Sequence, residues 1–158
     1  MTNSAPTSAY RTIVVGTDGS ASSLRAVEAA ARLASATGAR LILTCAYEPM
    51  REEDRAAAAE ALGELAYKVE GANPATDALR SARGRAFEAG ARDVDEKAVR
   101  GAPTDALLDI GEKQDADLIV VGNRGLNSIT GRFLGSVPST ITHRAPCDVL
   151  VVHTTSGH

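Results

Sequence analysis

Short apolar runs rich in β-branched residues recur along this chain, each ending at a glycine or a turn, with helical periodicity in between. Ile13-Val14-Val15 runs into Gly16-Thr17-Asp18-Gly19-Ser20, Leu41-Ile42-Leu43-Thr44-Cys45-Ala46 is apolar nearly throughout, and Leu118-Ile119-Val120-Val121 stops at Gly122. A strand that shows no polar alternation has to be covered on both faces, which is the condition of a parallel sheet. Parallel neighbours need crossover connections, and helices between the strands supply them. This pattern restricts the chain to α/β architecture before any single residue is considered.

The intervening segments carry the helical signals. Ser20 can cap a helix in which Leu24, Val27, Ala31 and Ala34 fall on one face and Arg25, Glu28, Arg32 and Ser35 on another, with Gly38 as its stop. Residues 56–69 can form a helix with Ala58, Leu62, Leu65 and Val69 on one side, although Gly63 and the charges of 51–55 weaken it, and this crossover is the variable one. Pro74 suits a first helical position, and Leu79, Ala82, Ala86 and Ala89 continue to Gly90. Residues 94–100, with Asp95, Glu96 and Lys97, suit an edge strand protected by charge. Pro103 opens a further helix through Ala106, Leu107 and Ile110, with Asp109 and Lys113 as an i,i+4 pair. A last helix over 137–144 stops before Pro146, and residues 149–153 make the fifth strand. The prediction is an open, doubly wound, five-stranded parallel sheet with helices on both faces and a ligand crevice where the winding reverses.

At 158 residues the chain suffices for one domain with a full core. Aromatics make up 3% with no Trp, so Ala, Val, Leu and Ile must build that core and helices must pack closely on the sheet. A net charge of −3 gives no electrostatic footprint for nucleic acid or an anionic membrane, and neither partner is expected. Residues 1–9 read as a loose polar tail with no signal-peptide pattern, 10–154 as the domain, and 155–158 as a second tail. No apolar run approaches the ~18 residues of a membrane helix, so a cytoplasmic location is expected. Cys45 and Cys147 fit neither a redox nor a zinc spacing and are expected as free thiols.

The fourth strand feeds a glycine-studded loop, Gly122-Asn123-Arg124-Gly125, which runs to Gly135, and Ser136 reads as the N-cap of the helix after it. Glycines let a ligand approach the backbone, and a helix start offers unpaired N–H groups, so the arrangement suits an anion. A surface loop with turn glycines would look the same in composition, yet loops longer than ~12 residues are usually functional or disordered. No Gly-Lys-Ser/Thr follows, which excludes a Walker A loop, and the first close glycine pair of the dinucleotide fingerprint is missing. Asp18, at the end of the first strand, can serve a ligand or simply close an Asx turn. His143 and His153 have no partners at a triad or ligand spacing and are assigned to helix surface and strand.

The set Gly122-x2-Gly125-x9-Gly135-Ser136, preceded by Asp115-Ala116-Asp117-Leu118-Ile119-Val120-Val121 and by the first-strand Gly-Thr-Asp-Gly-Ser, and followed by Arg144-Ala145-Pro146-Cys147, resembles the universal stress protein family. The resemblance covers nearly the whole chain and is nearer to small actinobacterial members that bind cyclic AMP as well as ATP. It implies a Rossmann-like fold of the adenine nucleotide alpha hydrolase type, strand order 3-2-1-4-5. It also implies that Gly122, Arg124, Gly125, Gly135, Ser136 and Val137 wrap the phosphates. Gly16, Thr17 and Asp18 would lie on the ribose and adenine side, Asp18 accepting from a ribose hydroxyl; Ala46 would read the adenine edge through its backbone, and Gly101 joins the same set. A homodimer through the C-terminal strand is implied as well.

Charge weighs the two ligands. Cyclic AMP carries one negative charge, whereas ATP carries about four and usually arrives with Mg²⁺, so a metal is expected only with ATP. The loop offers Arg124 and Arg132 and no Lys, which suits a single phosphate and favours cyclic AMP, with ATP bound more weakly. The expected activity is sensing or sequestration without catalysis. The alternative is a slow ATPase or autophosphorylating enzyme, with Asp18, Ser128 or Thr130 as its candidate groups.

Overall fold

A computed structural model describes residues 9–48, 74–123 and 136–154. The described elements run β1 (Thr12–Gly16), α1 (Ala21–Thr37), β2 (Arg40–Tyr47), α2 (Pro74–Glu88), β3 (Val94–Arg100), α3 (Pro103–Lys113), β4 (Leu118–Gly122), α4 (Ser136–Arg144) and β5 (Asp148–Val152). The strands pair in the order β3-β2-β1-β4-β5, and every pairing is parallel. This is the predicted sheet. The helix expected over 56–69 and the two tails lie outside the described residues.

Alternation along the central strands assigns the two faces. Ile13 and Val15, Leu41 and Leu43, and Leu118 and Val120 pack on one side against α1 and α2. Val14, Ile42, Ile119 and Val121 pack on the other against Leu107 and Ile110 of α3 and Ile141 of α4. Each of these strand side chains is at most 3% exposed, which explains the uninterrupted apolar runs. Helices α1 and α2 therefore share one face and α3 and α4 the other, and the winding reverses between β1 and β4. By the rule for open α/β sheets, the crevice belongs at the carboxyl ends of those two strands.

Local signals worked where the backbone needed them. Gly38 closes α1 at φ 73°, its N–H donating to the Ala34 carbonyl, and Pro103 stands at the first helical positions of α3. Lys113 and Asp109 pair at 3.0 Å. Three expectations shift. Ala26 and Ala30 of α1 are fully buried while Leu24 is half-buried, because the inner stripe of α1 meets the Ala-rich face of α2 and only small side chains fit between them. Ser136 is the first helical residue of α4. Strand β5 begins one residue earlier than expected, at Asp148, and ends at Val152, leaving His153 outside it.

The amino edge of the sheet is tied by Asp117, whose carboxylate accepts from the Arg11 and Thr12 amides at 2.9 and 3.1 Å. That bond locks the start of β4 to the start of β1. In the resulting register Val15 pairs with Val120, so β4 runs one residue past the end of β1 at the opposite edge.

Candidate functional site at the carboxyl edge of the sheet

The turn after β1 is held by its own polar groups. The Thr17 amide donates to the Thr44 carbonyl at 2.9 Å, extending the pairing with β2 one residue past the strand. Thr17 Oγ1 and Ser23 Oγ share a hydrogen bond at 2.9 Å, and Thr17 Oγ1 also accepts from the Gly19 amide at 3.2 Å. Asp18 Oδ1 accepts from the Ser20 amide at 2.8 Å, which closes an Asx turn, and Ser20 Oγ caps α1 by accepting from the Ser23 amide at 3.2 Å. Gly19 adopts φ +83°, and a Cβ there would lie 3.2 Å from Ala78 Cβ, so α2 seats directly on this turn.

Asp18 is half-buried. Burial pushes its carboxyl up, but hydrogen bonds from Ser20, Ser23 and the local backbone outweigh that and hold it below the usual carboxylate value. The group is therefore an anion at neutral pH. The bond to the Ser20 amide falls on Oδ1, and a hydroxyl donor would have to share the carboxylate with the polar groups of this turn. The Asx turn and the ligand role then meet in one side chain.

The remaining expected residues distribute as follows. Gly16 ends β1 opposite Thr44 in register, and a Cβ there would stand 3.0 Å from Leu107 Cδ1, so its first task is to admit α3 against the sheet. Ala46, half-buried near the end of β2, pairs with Val99 of β3. Gly101 follows β3 at φ +130°, its amide donating to the Tyr47 carbonyl at 2.8 Å, and a side chain there would be strained by the backbone alone. Gly122 ends β4 opposite Val152. Ser136 is exposed and Val137 half-buried at the start of α4. Arg124, Gly125 and Gly135 lie outside the described residues, as do Ser128, Thr130 and Arg132. The structure thus gathers Gly16, Thr17, Asp18, Ala46, Gly101 and Gly122 at one edge of one sheet, although 106 residues of sequence separate the first from the last.

The histidines and cysteines are placed as follows. His143 Nδ1 lies 2.9 Å from the Ser139 carbonyl on the exposed side of α4, and His153 is exposed. Cys45 and Cys147 are free; burial, with the Asp18 carboxylate adding to it, pushes the Cys45 thiol up. Among the described residues, no group of three or more His, Cys, Asp or Glu converges on a point where a metal could sit.

Sequence reading did not anticipate the contacts of Thr154, which is 2% exposed. Its amide and its hydroxyl both donate to Asn123 Oδ1 at 2.9 Å, its Oγ1 lies 2.6 Å from Ser22 Oγ, and its carbonyl accepts from Arg25 Nη1 at 2.6 Å. Asn123 could be suspected from its place directly after Gly122; Thr154, 31 residues further on, carries no local signal.

Comparison with known proteins bears on this edge. The model of the universal stress protein family matches residues 9–153. The chain belongs to that family. A universal stress protein of Mycobacterium tuberculosis is 52% identical over 148 residues, covering 94% of this chain and 99% of the relative. One of Thermus aquaticus is 34% identical over 144 residues, covering 90% of this chain and 98% of the relative. Among solved structures, a universal stress protein in complex with cAMP matches with a TM-score of 0.73 and 46% identity, over 94% of this chain and all of the other. The Rossmann-like α/β sheet described above is the fold shared with these universal stress protein structures.

Proposed function

We propose that this universal stress protein binds an adenine nucleotide at the carboxyl edge of β1, β2 and β4, cyclic AMP in preference to ATP, and acts as a sensor or sequestering protein without turning its ligand over. The observation that carries the reading is the likeness, over nearly the full length of both chains, to the universal stress protein solved in complex with cAMP. The edge fits that ligand chemically. Asp18 offers an ionised acceptor suited to a ribose hydroxyl, and the glycine at 101 gives backbone unobstructed by a side chain. The 2′-hydroxyl is the free ribose hydroxyl of cyclic AMP, and one acceptor matches it.

Phosphate would be held by backbone amides entering the glycine loop at Gly122 and by the first turn of α4 at Ser136 and Val137, with Arg124, Gly125 and Gly135 from the loop itself. A single anionic charge suits such a backbone-lined site better than a triphosphate, which would need Mg²⁺ and further cations. The non-catalytic reading is supported by Asp18, whose carboxyl is held below the ordinary value and is a correspondingly weak base. A second copy of the chain is proposed to pair along β5, in the cytoplasm.

The test is thermal unfolding with cyclic AMP, ATP and GTP. At a ligand concentration of 100 Kd a specific ligand adds roughly 2.7 kcal/mol, which moves the midpoint of a chain this size by roughly 5–10 °C. Cyclic AMP should give the largest shift, ATP a smaller one and GTP none. Absence of a shift with every adenine nucleotide overturns the reading. Incubation with labelled ATP then separates binding from turnover: product release, or label kept on the chain and lost in Asp18→Ala, would make the protein an enzyme.

A further inference from the structure

We infer that Thr154 is a positioning residue: it clamps the point where β4 leaves the sheet to the first turns of α1, and so sets the geometry of both halves of the proposed nucleotide site. The inference rests on that reading for its consequence in binding, and on hydrogen bonds for the clamp itself. Thr154 lies one residue beyond the family match, after the last strand. Every polar group it owns is engaged. Its hydroxyl has one proton, which goes to Asn123 Oδ1, so Ser22 must be the donor in the 2.6 Å contact between the two hydroxyl oxygens. The Asn123 amide carbonyl thereby takes two hydrogen bonds from a single residue, one from its N–H and one from its hydroxyl. The guanidinium of Arg25 adds a charge-assisted bond to the Thr154 carbonyl.

The consequence follows from where the partners stand. Asn123 is the residue through which the chain passes from Gly122 into the glycine loop, and its own amide donates to the Val152 carbonyl at 2.9 Å, carrying the β4–β5 pairing one step beyond the strand. Ser22 and Arg25 belong to α1, whose cap Ser20 also receives the Asx turn of Asp18. One buried residue therefore joins the Asp18 turn and the exit of β4, across the place where the winding reverses. Thr154 is the buried centre of a half-buried network, and removing its hydroxyl leaves Ser22 without its acceptor and Asn123 Oδ1 short of one donor.

The experiment compares Thr154→Val, Thr154→Ser, Asn123→Ala and the double variant Thr154→Val/Asn123→Ala with the parent, in the full chain. Titration calorimetry with cyclic AMP reads affinity, and amide hydrogen exchange of the ligand-free protein reads the Asn123 N–H. Thr154→Val removes only the hydroxyl; it should weaken cyclic AMP about tenfold and speed exchange at Asn123, and Thr154→Ser should restore both. Asn123→Ala, which also removes the acceptor of the Thr154 amide, should weaken cyclic AMP at least as much as Thr154→Val, and the double variant should lose less than the sum of the two, since both break the bond from the Thr154 hydroxyl to Asn123. Parental affinity in Thr154→Val, or additive losses in the double variant, overturns the inference while leaving nucleotide binding intact. Should the parent bind no adenine nucleotide, the functional reading falls instead, and unchanged exchange at Asn123 in Thr154→Val overturns the clamp as well.

Discussion

Two residues at the carboxyl edge have consequences that can be measured without a ligand. Thr44 is 2% exposed on β2, and its Oγ1 is the buried side-chain oxygen that finds no hydrogen-bond partner among the described residues. A hydroxyl in that position has been taken out of water with no replacement bond, so Thr44→Val, which keeps the shape, should raise stability by about 1 kcal/mol and the midpoint by roughly 2–4 °C. A lower midpoint would mean that the hydroxyl is used. Asp18 works in the opposite sense. Its folded pKa is depressed below its unfolded value, so its contribution to stability is present above the ordinary carboxylate pKa and is lost as pH falls through the folded value. Asp18→Asn should therefore be less stable than the parent at pH 7, and urea midpoints of the two should converge as pH drops below the carboxylate range. A gap that stays constant with pH would show that the carboxylate charge contributes nothing.

At the scale of elements, what was legible in the sequence was whatever a few neighbouring residues decide. The runs at 13–15, 41–46 and 118–121 announced strands buried on both faces, Gly38 announced an αL stop, and Pro103 a helix start. The inner stripe of α1 was less legible, because alanines such as Ala26 and Ala30 look indifferent until α2 lies against them. Contacts that join distant elements, Asp117 to the start of β1 and Thr154 to Asn123, depend on the assembled sheet and have no local signature. Of the candidate site, the Asp18 turn was legible because Gly-Thr-Asp-Gly-Ser is turn chemistry, whereas Gly16 has a packing duty toward Leu107 that no spacing in the sequence reveals. Helix α3 offers a test at this scale. Its N-cap, Ala102, has the extended backbone of a cap at φ −68° and ψ 148° but makes no side-chain cap bond. Ala102→Ser should supply that bond and add roughly 0.5–2 kcal/mol, seen as a higher urea midpoint at unchanged m. No gain would mean that the α3 amides are already satisfied.

For the whole molecule, the sheet has two unlike edges. Strand β3 is guarded by charge: Arg40 pairs with Asp95, and Arg83 with Glu96 at 3.7 Å. Strand β5 reads Asp-Val-Leu-Val-Val and pairs with β4 on its inner side, with Leu150 37% exposed. Among the described residues no strand pairs with the outer side of β5; an apolar edge of this kind invites a partner strand, and two copies meeting edge to edge about a twofold axis would cover it on both at once. The choice of test residue is decided by the faces. Val151 packs into the cluster beneath α3 and α4, so a charge there would injure the core as well as the edge. Leu150 projects outward, and Leu150→Lys places a charge from each copy at the junction while sparing the interior. The parent should scatter light as a dimer, and Leu150→Lys should shift to the monomer mass with its far-ultraviolet spectrum unchanged. A parent that is monomeric at high concentration, or a variant that stays dimeric, would reject β5 as the meeting surface. Because Thr154 leaves β5 directly into the clamp on Asn123, dissociation of this edge should also weaken cyclic AMP, which makes the affinity of Leu150→Lys a measure of how far assembly and ligand are linked.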